Sequence, residues 1–505
     1  MNKRILLALL WSISSLMAIG QSMTGNEIEA AANTQLDKGI EELMSFMKIP
    51  NIGSNKEDVT NNLNWCIDRF KNLEFNTRII TTEGAPLLFA EKLLSKDKKT
   101  ILFYLQIDGQ PVDSSAWDQP DPFTPVIKQR TTSGNWVPID WKLKSQTDPD
   151  WRIFGRSASD SKGPAISFIT ALDIFKQRSL QAGFNIKVIM DFQEELGSPT
   201  LAEAVEQHRD LLGADMVLIM DGTRHISNWP TLTYGARGIA TATIKIFGPK
   251  TPLHSGQYGN FAPNPVFEAA RFIASLKDPN GQVQIKGFYD GITLSESDKK
   301  ALNSLPENED SLKIRLGIAE RDQVGGSYQE SLQYPSLNIR GLRAAWVGKE
   351  VRTIIPEEVD IEIDMRLVPE TPGERMLLLL EEHLKTQGYH MVDSIPTAKE
   401  RSSYSKLASL SYRLGSLPFR TEMDSDAGKF LNRAMQAVFG TKLVNMRTTG
   451  GSQPIAPFVR TLNVPAISIR IPNPDNSIHA PNENLRVGNF LEGIMMCLAI
   501  LNEPL

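Results

Sequence analysis

Three short apolar runs, each followed by acids, constrain this chain more than any other feature. TILFYLQID (100–108), FNIKVIMDF (184–192) and ADMVLIMD (214–221) carry apolar residues on both faces. Helix-patterned segments separate them: KGPAISFITALDIFKQRS (162–179) and SPTLAEAVEQHRDLL (198–212), the latter with Ser198 as its expected N-cap. A strand with one wet face alternates polar and apolar residues. Strands that do not alternate are covered on both sides, and intervening helices make such a sheet mostly parallel. A helical stretch over 36–72, broken at Pro50, comes before them.

The chain has 505 residues, too many for one core. Near residue 231 the pattern changes. TLTYGARGIATATIKIFG and VDIEIDMRLVP (359–369) alternate as antiparallel strands do, and NPVFEAARFIASL and ERMLLLLEEHLKTQG (374–388) read as helices. The α/β pattern returns with LNRAMQAVFG, VPAISIRIP (464–472) and a closing helix, NFLEGIMMCLAILNE. The expectation is an α/β domain over 21–230 and 416–505, interrupted by an inserted α+β unit over 231–415.

At the N-terminus, Lys3 and Arg4 precede ILLALLWSISSLMAIG, and Ala18 and Gly20 form a small-residue pattern suited to cleavage before Gln21. Residues 1–20 therefore read as a signal peptide, with a short membrane anchor as the other reading, and an exported protein, periplasmic or secreted, is expected. No membrane contact is expected after cleavage. A net charge of −5, with dispersed Lys and Arg, excludes a nucleic-acid footprint. Cys66 and Cys497 lie in helix-like patterns and read as two buried free thiols.

Ligands of open α/β sheets bind beyond the carboxyl ends of the strands. Asp108 follows the first run, Glu194 and Glu195 the second, and Asp221 ends the third. Asp160, in GRSASDSKGP, precedes a helix, and His479 lies in NSIHAPNE after the last strand. Five acids in one cleft repel one another, and a divalent metal is the natural counter-charge. Mixed carboxylate and imidazole ligands suit Zn²⁺, Mn²⁺ or Co²⁺ better than Ca²⁺. Taken singly each residue has a plainer reading: Asp221 as a turn former, Asp160 as an N-cap, the two glutamates as a solvated helix start.

GRSASDSKGP, QEELGS, PLHSGQYGNFAPNP, RTIIPEEVDIEIDMRLVP, GGSQP and HAPNE occur in one order. In that order they resemble the motifs of the di-zinc carnosinase, succinyl-diaminopimelate desuccinylase and aminoacylase superfamily of metallopeptidases. WDQPDPF and YGARG resemble its carnosinase-like dipeptidase branch. The resemblance implies a zinc-exopeptidase-like catalytic domain with an inserted lid and dimerisation domain, one or two Zn²⁺ per chain, and a homodimer. It implies that Asp160 bridges two metals, that Glu195 and His479 complete one site, and that Asp221 serves the other. Glu194 would be the general base, Asp108 would orient a histidine ligand or tune the site, and His254 would reach across a dimer interface to the oxyanion. Arg366 would grip the substrate carboxylate, with Thr353 and Ser452 as lesser contacts; by its residues alone, Arg366 could instead pair with an acid on its own sheet.

One position departs from the family pattern. The family has H-x-D where this chain has Gln106-Ile107-Asp108. A glutamine offers a neutral carbonyl oxygen, weaker toward Zn²⁺ than imidazole nitrogen. His225 is the only local substitute and reads as a surface histidine. Ser157 stands for the usual second glycine of G-R-G, and Thr448 and Thr449 precede Gly450 where Arg-Glu is common. Three readings stay open: a peptidase with one tight and one weak metal, a peptidase with another metal preference such as Mn²⁺, or a catalytically impaired homologue that binds a ligand. An N-acyl-amino-acid deacylase would use the same water and the same carboxylate grip as a peptidase acting on small peptides.

Overall fold

The computed structural model describes residues 22–144 and 146–505. Its largest element is an eight-stranded sheet. Thr100–Gln106 lies near the middle, parallel to Asn185–Asp191 on one side and to Met216–Ile219 on the other. Ala466–Arg470 continues the parallel set. The sheet as a whole is mixed, for Asn76–Ile80 and Leu87–Lys92 form an antiparallel hairpin that pairs antiparallel with Asn185–Asp191. Ile101, Phe103 and Leu105 point into the main core, while Leu102 and Tyr104 pack in a second cluster on the opposite face. That two-sided cover is why the run does not alternate. Each such side chain contributes about 1.5–3 kcal/mol by leaving water.

Helices Gly25–Met47, Lys162–Gln177 and Val487–Asn502 cover the main core face. The first is capped by reciprocal bonds between Thr24 and Glu27. Lys162 is fully buried where that helix ends, and its Nζ donates to the carbonyls of Phe46 (2.9 Å) and Ile49 (2.7 Å). A cation at a helix C-terminus is well placed, yet burial still lowers its pKa to about 7. Cys66 and Cys497 are both buried and free.

A five-stranded sheet runs in the order Ser336–Arg343, Glu358–Leu367, Gly238–Phe247, Leu407–Leu414, His390–Met391. Here the alternation is real: Val359, Ile361, Ile363, Met365 and Leu367 are buried in a core shared with helices Pro265–Leu276 and Gly373–Thr386, and Arg366 faces the other way. Among the described residues no helix is long and apolar enough to cross a membrane.

Three local expectations are corrected. Thr231–Thr233, expected in the inserted unit, belongs to the large sheet, and the chain enters the smaller sheet only at Gly238. Ser198 is no N-cap: the helix starts at Leu201 after Thr200, and the Ser198 hydroxyl donates to Asp191 instead. Asp160 does not cap either, because the helix at Lys162 follows Ser161.

Candidate metal centre

Asp160, Glu195 and His479 each present one ligand atom, and those atoms lie within 4.8 Å of one another. His479 Nε2 is 3.0 Å from Asp160 Oδ2 and 3.3 Å from Glu195 Oε2. The three come from different places: the turn before a helix, the loop after the Asn185–Asp191 strand, and the loop after Ala466–Arg470. Asp221 joins through Ser161, whose hydroxyl oxygen is 3.0 Å from Asp160 Oδ1 and 2.9 Å from Asp221 Oδ1. Gln453 donates to the other Asp221 oxygen at 3.1 Å.

Glu194 and Glu195 open a short 3-10 turn that Asp108 holds from below. Its two carboxylate oxygens accept the backbone N–H groups of Glu194 (2.9 Å) and Glu195 (3.1 Å). Gln106, at the end of its strand, is buried, and its Nε2 has no partner among the described residues.

The charges are crowded. Burial pushes the Glu194 carboxyl well above the usual range, and Asp221, Asp160, Glu195 and Asp108 push the same way. Burial likewise raises Asp160, opposed by its His479 hydrogen bond and reinforced by Asp221 and Glu195. For Glu195 burial is overcome by His479 and Gln110, leaving it below the ordinary value. His479 is raised to about 10 by its bonds to Asp160 and Glu195. The imidazolium thus stands in for a cation. Among the described residues Glu195 Oε1 is buried without a partner, as is the Gln106 amide nitrogen. An unsatisfied carboxylate oxygen among converging acids fits a divalent metal, whereas the amide nitrogen is a donor and offers a cation no lone pair.

Glu483, which sequence reasoning passed over, organises the Asp160 loop. It is fully buried and accepts the N–H groups of Ser157, Ser159 and Asp160 at 2.9–3.0 Å, with Arg156 paired at 2.7 Å. Its signal was the last letter of HAPNE. Ser157 has φ +64°, a left-handed conformation that explains a glycine preference; here the Asn51 amide holds its hydroxyl at 2.9 Å.

Arg366 donates to Ser452 Oγ at 3.0 Å. It forms no ion pair with an acid of its own sheet among the described residues. His254 and Thr353 come together on a small strand pair, where the Thr353 carbonyl accepts the Ser255 N–H at 3.1 Å. Their hydrogen-bond partners lie there, not in the acidic cluster. His225 is corrected from surface to interior: it is 3% exposed, with Nε2 2.9 Å from Glu307 and Nδ1 2.9 Å from Ser227. Its acid partner lies 82 residues further on, beyond the reach of local pattern.

Comparison with known proteins shows which family the chain belongs to. The model of peptidase family M20/M25/M40 matches residues 102–503, and the chain belongs to that family. It is a metallopeptidase with dipeptidases among its relatives. Over 424 residues it is 27% identical to the Cys-Gly metallodipeptidase dug1 of Schizosaccharomyces pombe, covering 83% of this chain and 82% of that protein. It is equally 27% identical over 427 residues to the human Beta-Ala-His dipeptidase, covering 83% and 77%. Among solved structures, the M20 family metallo-carboxypeptidase Sso-CP2 of Sulfolobus solfataricus superposes with a TM-score of 0.73 at 25% identity, covering 93% of this chain and 99% of that one. The dipeptidase Dug1p of Saccharomyces cerevisiae gives 0.71 at 22% identity, covering 95% and 98%, a likeness of fold.

These relatives also correct the expected location. The yeast Dug1 enzymes are cytosolic, so the expectation of an exported, periplasmic or secreted enzyme does not stand. The segment read as a signal peptide falls in residues 1–21, outside the described residues.

Proposed function

We propose that the chain hydrolyses the amide bond of dipeptides or similarly small peptides, using water deprotonated by Glu194. The observation that carries this reading is the convergence of Asp160, Glu195 and His479 within 4.8 Å, beside the Glu194 carboxylate, whose pKa desolvation and the neighbouring acids raise. Asp160, Glu195 and His479 would hold one divalent cation, with Zn²⁺ favoured and Mn²⁺ or Co²⁺ also suited to the donors. Asp160 and Asp221 would serve a second, altered position, with Gln106 in place of a histidine. A bound cation supplies Lewis acidity toward the scissile carbonyl and lowers the pKa of water.

The chain's own groups do the rest. Glu194 accepts the water proton and returns it to the leaving amine. Asp108 fixes the turn that aims Glu194, so it is a positioning residue. Arg366, braced by Ser452, binds the substrate carboxylate through its planar fork. His254, exposed on its strand pair, would act on the oxyanion of a partner subunit's substrate in a homodimer, with Thr353 beside it. The division into a catalytic body and an inserted unit ending near 415 is part of the same proposal, with the entry moved to about residue 238 by the sheet pairings. Relatives named for Cys-Gly and Beta-Ala-His cleavage favour peptides over N-acyl amino acids.

The test is hydrolysis over a dipeptide panel by wild type and Glu194→Gln, each assayed for bound metal. Glu194→Gln is expected to lower kcat by roughly 10²–10⁴ with metal content unchanged. No turnover by wild type with Zn²⁺, Mn²⁺ or Co²⁺ would sink the enzyme reading and leave an impaired homologue.

A further inference from the structure

Away from the acidic cluster, a cavity of about 240 Å³ lies against the edge strand Ser336–Arg343 of the smaller sheet. The helix Glu309–Leu316 and the short helix Tyr328–Ser331 close its other sides. Much of its wall is apolar: Val283, Leu312, Leu316, Ile318 and Leu337.

Its charged lining is balanced with one exception. Lys277 pairs with Asp322 at 3.0 Å, Arg321 with Glu309 at 3.0 Å, and Lys313 with Asp310 at 2.8 Å. Arg237 also lines the cavity and is only 6% exposed. Among the described residues its side chain donates only to neutral acceptors, the Tyr334 carbonyl and Ser336 Oγ, both at 2.9 Å, and its Nε is buried with no partner. Burial, with Arg366 nearby, lowers its pKa to about 10. Asp364 opposes that fall from nearby without a hydrogen bond to Arg237. A guanidinium kept this dry with no anion bonded to it is costly, and a carboxylate that reaches it relieves the cost through charge-assisted hydrogen bonds.

We propose that this cavity is a binding site for a small carboxylate with an apolar body, the carboxylate on Arg237 and the body among the leucines and isoleucine. The volume lies just below the range of about 300–1,000 Å³ usual for drug-sized ligands, which suits a molecule the size of one amino acid. The site does not depend on the proposed hydrolysis. It also needs nothing from the metal centre.

The probe is 4-phenylbutyrate, titrated calorimetrically into the full chain. One site per chain is expected, with the neutral 4-phenylbutyramide binding at least about tenfold more weakly. Leu316→Trp fills the mouth of the cavity from a side chain that is 58% exposed, so folding is spared, and is expected to weaken binding by at least about tenfold with an unchanged melting temperature. Arg237→Met should do the same, and Arg366→Met should retain binding. No binding at millimolar probe overturns the proposal. So does equal affinity for the amide, or loss in Arg366→Met with retention in Leu316→Trp, which would put the probe in the substrate cleft.

Discussion

The two oxygens of the Asp108 carboxylate are divided between the backbone N–H groups of Glu194 and Glu195, at 2.9 and 3.1 Å. The acid that ends one central strand therefore shapes the turn that follows its parallel neighbour. Where the family pattern has a histidine two residues before this acid, the chain has Gln106, and the acid holds the backbone of the proposed general base, Glu194, and of Glu195. Burial, with Asp191 nearby, raises its own pKa well above the usual range, and the two N–H bonds oppose that rise.

Asp108→Asn leaves the shape but turns one acceptor into a donor facing an N–H group. The Glu194 turn should shift, with kcat falling about 10–100-fold, as for other residues that support a metal site. Steady-state kinetics check this: KM should change little, since no substrate contact is lost. An unchanged kcat would mean that the turn holds its place without Asp108.

Gln106→His places imidazole at a buried position whose side-chain amide nitrogen has no partner among the described residues. Metal content by elemental analysis should rise toward two per chain, because imidazole is the stronger ligand. Unchanged stoichiometry would mean that the glutamine is not at a ligand position.

Glu483→Ala removes one buried carboxylate and strands three N–H groups and Arg156. Breaking a buried pair of this kind costs about 3–5 kcal/mol. Chemical denaturation of the metal-free chain should show a loss of that size, and a loss below about 1 kcal/mol would show that the Asp160 loop is held by other contacts.

Metal removal makes the site pH-sensitive in a defined direction. In the metal-free chain His479 is raised to about 10, against an unfolded value near 6.5, and Asp160 and Glu194 are raised above their ordinary values. A group whose folded pKa is raised gives its full stabilisation below the unfolded pKa and loses it as pH rises through the folded one. The metal-free melting temperature should therefore start to fall above about pH 4, where the raised carboxyls begin to lose their stabilisation, and the His479 contribution should be lost between about pH 6.5 and 10. The metal-loaded chain should resist that fall. Zn²⁺ binding at pH 8 should release protons, read by calorimetry in buffers of differing ionisation enthalpy. A pH-independent metal-free melt would show that the ion pairs are not formed in solution.

The apolar runs and the acids at their ends were legible in order, because a strand buried on both faces cannot hide its composition and an acid there has few other uses. The alternation of VDIEIDMRLVP likewise announced the sheet that turns Arg366 outward. Other features depend on partners far along the chain. Asp108 meets Glu194 and Glu195 only because Thr100–Gln106 and Asn185–Asp191 lie side by side. Glu483 reaches the Asp160 loop from a separate segment, and His225 is buried by Glu307 rather than left in water. Among the described residues Arg237 forms no ion pair, while Asp322 and Glu309 beside it pair with Lys277 and Arg321. Which residue types stand at the strand ends follows from local periodicity and burial, which act over a few residues. Which of them share a hydrogen bond or lack a partner was set on folding, because those energies depend on distances between segments that the chain brings together from afar.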